Sequence, residues 1–272
     1  MSPSLVETLS ARPLALVTGA SSGMGAEFAR RLAGKGYDVA LVARRAERLQ
    51  ALAIELKRTF GVEALTLPAD LSVTDAHLSV IAALDGRPVE YLVNCAGYSL
   101  ARPYAETGWP AQRDCVMTLV MSVCGLTHAV LPGMLALGRG RIVTVSSLLA
   151  LSQGGPGHTV YPAAKSFVLK FMLSLSAEVR RQGVRVTCVL PGSTDSEFQA
   201  ANGTADAMSG MPSWLIASPD EVVAAALLAN DRGKLVVIPG WYNRLAAVLF
   251  RLAPDSWQRW AAQRAATTFG AS

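Results

Sequence analysis

The chemistry-bearing residues of this 272-residue sequence begin with TVYPAAKSF, positions 159–167. Tyr161 and Lys165 stand four apart where helical spacing starts, so they share one face, one above the other. A free phenol titrates at about 10 and trades protons poorly at neutral pH. An adjacent ammonium favours the phenolate and lowers that value, which would make the pair a proton donor with its tuner. The same two residues could equally be an aromatic and a snorkelling lysine on a helix edge.

A second candidate is TGASSGMG, 18–25. It lies where a strand-like run, PLALVTG (13–19), gives way to helical spacing in GMGAEFARRLAGKG (23–36). Gly19, Gly23 and Gly25 let the backbone turn tightly and approach a pyrophosphate, while the helix N-terminus offers N–H groups and a positive dipole end. The end of the second strand, DVALVAR (38–44), selects the nucleotide. An acid there would hold both ribose hydroxyls of NAD; this sequence has Ala43, Arg44 and Arg45 instead. Guanidinium groups match phosphate geometry, so the two arginines indicate a 2′-phosphate, and hence NADP(H), unless they merely begin a solvated helix.

Other chemistries are disfavoured. Cys95, Cys115, Cys124 and Cys188 form no CxxC pair, and His77, His128 and His158 are scattered, so no metal site is expected. The cysteines sit in apolar stretches, as reduced core residues of a cytoplasmic protein do. The net charge of +5 includes no Lys/Arg run of the kind that tracks phosphates, so no nucleic-acid partner is expected. The N-terminal segment lacks the basic and apolar regions of a signal peptide, and no apolar run reaches the length of a membrane span. Charged residues make up only 17%, against about 25% in typical domains. That shortage suggests surface covered by another subunit, a large apolar ligand or a membrane.

The elements that must position these groups alternate along the chain. Strands are expected at 13–19, 38–44, 62–70, 89–97, 140–147, 184–192 and 234–240, with helices over 23–36, 46–61, 74–84, 111–137 and 161–182. Continuous apolar strands are covered on both faces, as in parallel sheets. Strand–helix alternation gives right-handed βαβ units and an α/β, doubly wound, Rossmann-type sheet, which binds ligands beyond the carboxyl ends of its strands. A single domain is expected over 1–240, with an amphipathic helical extension over 241–272.

These motifs, in this order, resemble the short-chain dehydrogenase/reductase family over nearly the whole chain to about residue 200, and within it small NADP(H)-preferring bacterial members. The turn TGxxxGxG brings Ser21, Ser22 and Met24 to the cofactor with Gly19 and Gly23, and YPAAK matches the family's YxxxK. Asp70 and Leu71 in ADLS match the segment near the adenine. NCAG (94–97) matches NNAG, with Cys95 for the second asparagine, and implies cofactor contacts from Asn94, Ala96 and Gly97. VSS supplies the serine that fixes the substrate oxygen, Ser147 or, one residue earlier, Ser146. PGSTDSEF (191–198) resembles the loop that cups the nicotinamide, through Pro191, Gly192, Thr194 and Ser196. One departure stands out: counting from Gly97 and from the LP at 131–132 puts Leu119 where members usually carry an asparagine.

The resemblance implies reversible, NADPH-dependent reduction of a ketone or aldehyde, with Tyr161 as proton donor and Lys165 as its tuner and ribose contact. A catalytically weakened nucleotide-binding sensor or scaffold of the same fold is the alternative. Tyr98, His158, Met208 and Trp214 are expected to line the substrate pocket, His158 being either catalytic or an ordinary loop histidine. Residues 199–215 are expected to form a lid whose methionines and tryptophan suit an apolar substrate. A homo-oligomer is expected. Over 241–272 four arginines face one aspartate, and Leu245, Val248, Leu249 and Leu252 follow helical spacing. Such a helix either packs on the body or another subunit, the favoured reading, or lies on a membrane surface.

Overall fold

The computed structural model describes residues 12–195, 212–254 and 256–257. Seven strands form one parallel sheet: β1 (Leu14–Thr18), β2 (Asp38–Ala43), β3 (Ala64–Pro68), β4 (Val89–Asn94), β5 (Gly140–Val145), β6 (Val184–Val189) and β7 (Val236–Val237). Their order is β3-β2-β1-β4-β5-β6-β7, which reverses direction beside β1, the switch point of a doubly wound sheet. Every pairing between these strands is parallel, so all carboxyl ends share one edge.

Among the described residues, eight α-helices flank the sheet: α1 (Gly23–Gly34), α2 (Ala46–Phe60), α3 (Ala76–Ala82), α4 (Trp109–Val116), α5 (Ser122–Ala136), α6 (Val160–Val179), α7 (Pro219–Asp231) and α8 (Trp241–Leu252). Two core layers result. Leu16, Leu92, Ile142 and Val186 point to the α5 and α6 side, while Val17, Leu41, Val93 and Val143 pack with Phe28 and Leu32 of α1 on the other. Each such side chain contributes about 1.5–3 kcal/mol on burial, and their alternation along fully buried strands explains the continuous apolar runs.

The sequence reading differs from the structure at three places. α7 was not expected, although Ser218 and Glu221 form a complete capping box at its start. The long helix expected over 111–137 is interrupted by one π turn, Met117–Met121. The stretch Trp109–Ala136 is also long and apolar enough, by length and composition alone, to cross a membrane. That corrects the expectation that no run reaches that length. Here it serves the fold: Leu119, Val123, Leu126 and Val130 are buried.

Candidate active site

Along the common strand edge, the turn after β1 meets the turn after β4. Thr18 joins them: its Oγ1 donates to Val93 O at 3.3 Å and accepts from Cys95 N at 3.0 Å and Ala96 N at 3.1 Å. Gly19, with φ +69°, lies so near that a Cβ on it would sit 3.0 Å from Ala96 N. A Cβ on Gly25 would meet Gly19 O at 2.1 Å, so only glycine lets α1 start against its own turn. This cradle of close backbone suits a pyrophosphate at a helix N-terminus.

After β2, Arg45 folds back over that turn, donating to Ser21 Oγ at 3.0 Å and Ser22 Oγ at 2.8 Å. Arg44 is exposed, and its charge acts on Asp70. Burial would raise the Asp70 carboxyl, but the N–H and hydroxyl of Ser72, at 3.0 and 2.7 Å, together with Arg44 hold it below its usual range. Leu71 beside it is buried. Met24 and Gly23 open α1 and are half-buried.

The chemistry expected at Tyr161 is assembled after β5. Ser146 turns inward and donates to Lys165 O at 2.8 Å, which occupies its hydroxyl with the α6 backbone. Ser147 accepts from Leu149 N at 3.2 Å and hydrogen-bonds the Tyr161 side chain. Of the two serines, only Ser147 therefore faces the phenol. Lys165 Nζ donates to Val145 O at 2.7 Å and stands 5.6 Å from the Tyr161 ring centroid.

Burial dominates the electrostatics of this pair. It pushes the Tyr161 phenol up to about 12, against a lowering by Ser147, with the Cys115 and Cys95 thiols adding to the rise. It draws Lys165 down to about 8, although the thiols of Cys95, Cys188 and Cys115 oppose the fall. The expectation that Lys165 lowers Tyr161 is thus corrected: the ammonium is aimed at Val145 O, and desolvation outweighs it. At neutral pH the pair is a neutral phenol beside a mostly charged amine.

Leu119 is buried with Cys115, Tyr161 and Ala164, and its Cδ2 would lie 2.8 Å from a Cβ on Gly97. It stands at the π turn, beside the tyrosine–lysine pair. Ser122 is committed elsewhere, donating to Thr118 O at 2.7 Å.

Several expected contacts are redistributed. Asn94 is buried, its amide donating to Thr127 and Thr144 hydroxyls at 3.3 Å, so its side chain ties β4 to α5 and β5 rather than reaching the strand edge. Pro191 O accepts from Leu148 N at 2.9 Å, which sets the loop after β6 against the serine turn. Thr194 is buried, its hydroxyl on Gly192 O at 3.2 Å. Tyr98 is half-buried, and desolvation raises it to about 12. His158 lies 3.4 Å from Ser99 Oγ, and burial lowers its pKa. Trp214 is exposed and stacks on Trp241. Ser196, Met208, Met211 and most of the expected lid lie outside the described residues.

Two positioning residues escaped the sequence reading. Thr18 was visible as the first letter of the glycine-rich motif. Asn243 of α8 is buried, donates to Pro239 O at 2.8 Å, and fills the space where a Gly192 side chain would stand, 2.2 Å from its Oδ1. No local signal announced it.

A parallel sheet with this switch point, glycine cradle and serine–tyrosine–lysine grouping defines a Rossmann-type oxidoreductase. The family model for short chain dehydrogenase matches residues 13–207, and the chain belongs to that family. It is 37% identical over 235 residues, 83% of this chain and 92% of the relative, to an uncharacterised oxidoreductase of Myxococcus xanthus. Its fold matches a short-chain dehydrogenase from Sphingobium yanoikuyae solved in complex with NADPH, with TM-score 0.78, 32% identity, and 89% and 96% of the two chains covered. It also matches a bulky-bulky ketone specific alcohol dehydrogenase from Comamonas testosteroni, with TM-score 0.73, 30% identity, and 90% and 96% covered.

Proposed function

We propose that this oxidoreductase uses NADPH to reduce an apolar ketone or aldehyde to the alcohol, reversibly. The observation that carries the reading is the hydrogen bond of Ser147 to a buried Tyr161 with Lys165 beneath it. Bound NADPH would supply hydride to the carbonyl carbon. Gly19, Gly23 and the α1 N-terminus would hold its pyrophosphate, Ser21, Ser22, Arg44 and Arg45 its 2′-phosphate, Asp70 and Leu71 its adenine, and Ala96, Gly97, Pro191, Gly192 and Thr194 its nicotinamide end.

Tyr161 donates its proton to the substrate oxygen, which Ser147 holds in place. With its pKa raised to about 12, the phenol is fully protonated at neutral pH and so holds the proton that reduction consumes. NADP(H) over NAD(H) is supported by the missing acid after β2 and by Arg45 lying on Ser21 and Ser22. The bulky-ketone neighbour and the apolar side chains packed around Tyr161, with Tyr98, Leu100 and Leu119 among them, support an apolar substrate. A homo-oligomer is supported by the exposed Met121 and by Phe167, which is stacked on Phe171 along an outward groove of α6. Four free cysteines support a cytoplasmic setting.

One observation favours the weakened sensor: Leu119 brings no hydrogen-bonding group to the tyrosine–lysine pair. Titration of NADPH and NADH into wild type and Arg45→Ala, with NADPH consumption over a panel of ketones and aldehydes, tests both readings. Arg45→Ala should lose about tenfold or more in NADPH affinity, as removal of a charge-assisted bond of about 1.5–3 kcal/mol requires, with NADH affinity unchanged. Equal NADPH affinity in the two proteins refutes the phosphate assignment, and tight NADPH binding without turnover supports the sensor.

A further inference from the structure

Helix α8 wears its apolar side outward. Asn243 and Ala247 are buried against the body, whereas Trp241, Leu245, Val248, Leu249 and Leu252 are 69, 54, 49, 57 and 77% exposed. With 3.6 residues per turn these five form one stripe about 100° wide, with exposed Arg244 on its flank. Trp214 extends the stripe: its ring stacks on Trp241 with centroids 6.1 Å apart, and Tyr242 stands edge-on to both. Trp257, just beyond the helix, is exposed as well. Helices of water-soluble proteins normally turn such a stripe to the core; here it does not pack on the body, which leaves another subunit or a membrane surface as the expected partners.

The charge of the stripe selects its occupant. The helix is about 18 Å long, and by area alone its exposed apolar face would suit either a second copy or a bilayer. Arg244 and Arg251 both belong to α8, and over 241–272 four arginines face one aspartate. Two copies meeting through this stripe would bring like charges together, whereas an anionic bilayer would attract them. Tryptophans beside aliphatic residues, flanked by arginine, suit the boundary between headgroups and acyl chains.

We propose that α8 docks this chain on the surface of a membrane containing anionic lipid, lying in the interface without crossing it. The stripe adjoins the candidate site, because α8 packs on the Leu148–Leu151 turn that follows Ser147. Docking itself is independent of the chemistry proposed above.

The test is co-sedimentation of the full chain with phosphatidylcholine vesicles, with and without about one-third phosphatidylglycerol, at low and high salt. Wild type should bind the anionic vesicles, release at high salt, and show blue-shifted tryptophan emission when bound. The double variant Leu245→Glu, Leu249→Glu should lose at least about tenfold in binding, with its circular dichroism and size-exclusion mass unchanged. Leu252→Glu, at the most exposed position, gives a second, milder arm should the double variant fold poorly. Failure of wild type to bind either vesicle, or equal binding to neutral vesicles, overturns the proposal. So does a fall in oligomeric mass in either variant, which would assign the stripe to a second copy.

Discussion

Replacing Lys165 with methionine should abolish turnover and, at neutral pH, stabilise the protein. Burial draws Lys165 from its ordinary 10.5 to about 8, a difference worth about 3 kcal/mol. Below about 8 the amine is protonated in both folded and unfolded chains, and the folded state bears the whole cost of the buried charge. Between about 8 and 10.5 the unfolded chain binds more protons, so wild-type stability climbs with pH; above 10.5 the cost is gone. Methionine fills much of the same space without charge, but strips Val145 O of the donor now 2.7 Å away, at a cost of about 1 kcal/mol. The variant should therefore exceed wild type by about 2 kcal/mol near pH 7 and fall about 1 kcal/mol short of it near pH 11. Urea unfolding of both proteins across that range measures the difference, in which the titrations of the remaining tyrosines and cysteines largely cancel. A variant less stable than wild type at neutral pH, or a difference indifferent to pH, would refute the argument.

Tyr161→Phe should remove turnover while thermal unfolding and NADPH titration stay near wild type, since one hydroxyl is lost; retained turnover on any accepted substrate excludes it as donor. The rate of carbonyl reduction should fall as pH rises through about 8, where Lys165 loses its charge, while alcohol oxidation, which needs the phenolate, should rise with pH. Profiles of kcat/KM in both directions check this, and a reduction rate flat across that range would remove Lys165 from the mechanism. Leu119→Asn should raise turnover several-fold and shrink the solvent isotope effect if reprotonation of Tyr161 is slow for want of a polar group there. An unchanged rate in an already fast enzyme would mean that protons arrive by another route.

The sheet and the strand-edge motifs were legible because each rests on local chemistry. Fully buried strands leave unbroken apolar runs, and the glycines of the first turn are forced by backbone approach, as the 2.1 Å clash awaiting a side chain at Gly25 shows. The choice between Ser146 and Ser147 was not legible, since both are serines on one turn and only the Lys165 carbonyl separates them. Side-chain direction likewise hid the inward turn of Asn94 towards Thr127 and Thr144, partners 33 and 50 residues away. The Lys165–Tyr161 coupling was misjudged because spacing reports proximity and says nothing of desolvation. The periodicity of α8 was read correctly, but periodicity does not tell which side of a helix meets the protein.

The thiols around Tyr161 and Lys165 carry a practical consequence. Burial lifts Cys95 and Cys188 to about 12 and Cys115 to about 11, so almost no thiolate exists at neutral pH and the native site is inert to alkylating reagents. For the buried Cys115 and Cys188, labelling must then wait for an opening event that admits water and reagent together, whereas Cys95 is partly exposed. Because Cys115 lies on α4 and Cys188 on β6, the rate at which each acquires a label measures how often its own part of the protein opens. Alkylation followed by mass spectrometry thus turns the cysteines into clocks placed beside the tyrosine–lysine pair. If bound cofactor slows Cys95 and Cys115 more than Cys188, the nucleotide braces the mouth of the site rather than the sheet as a whole.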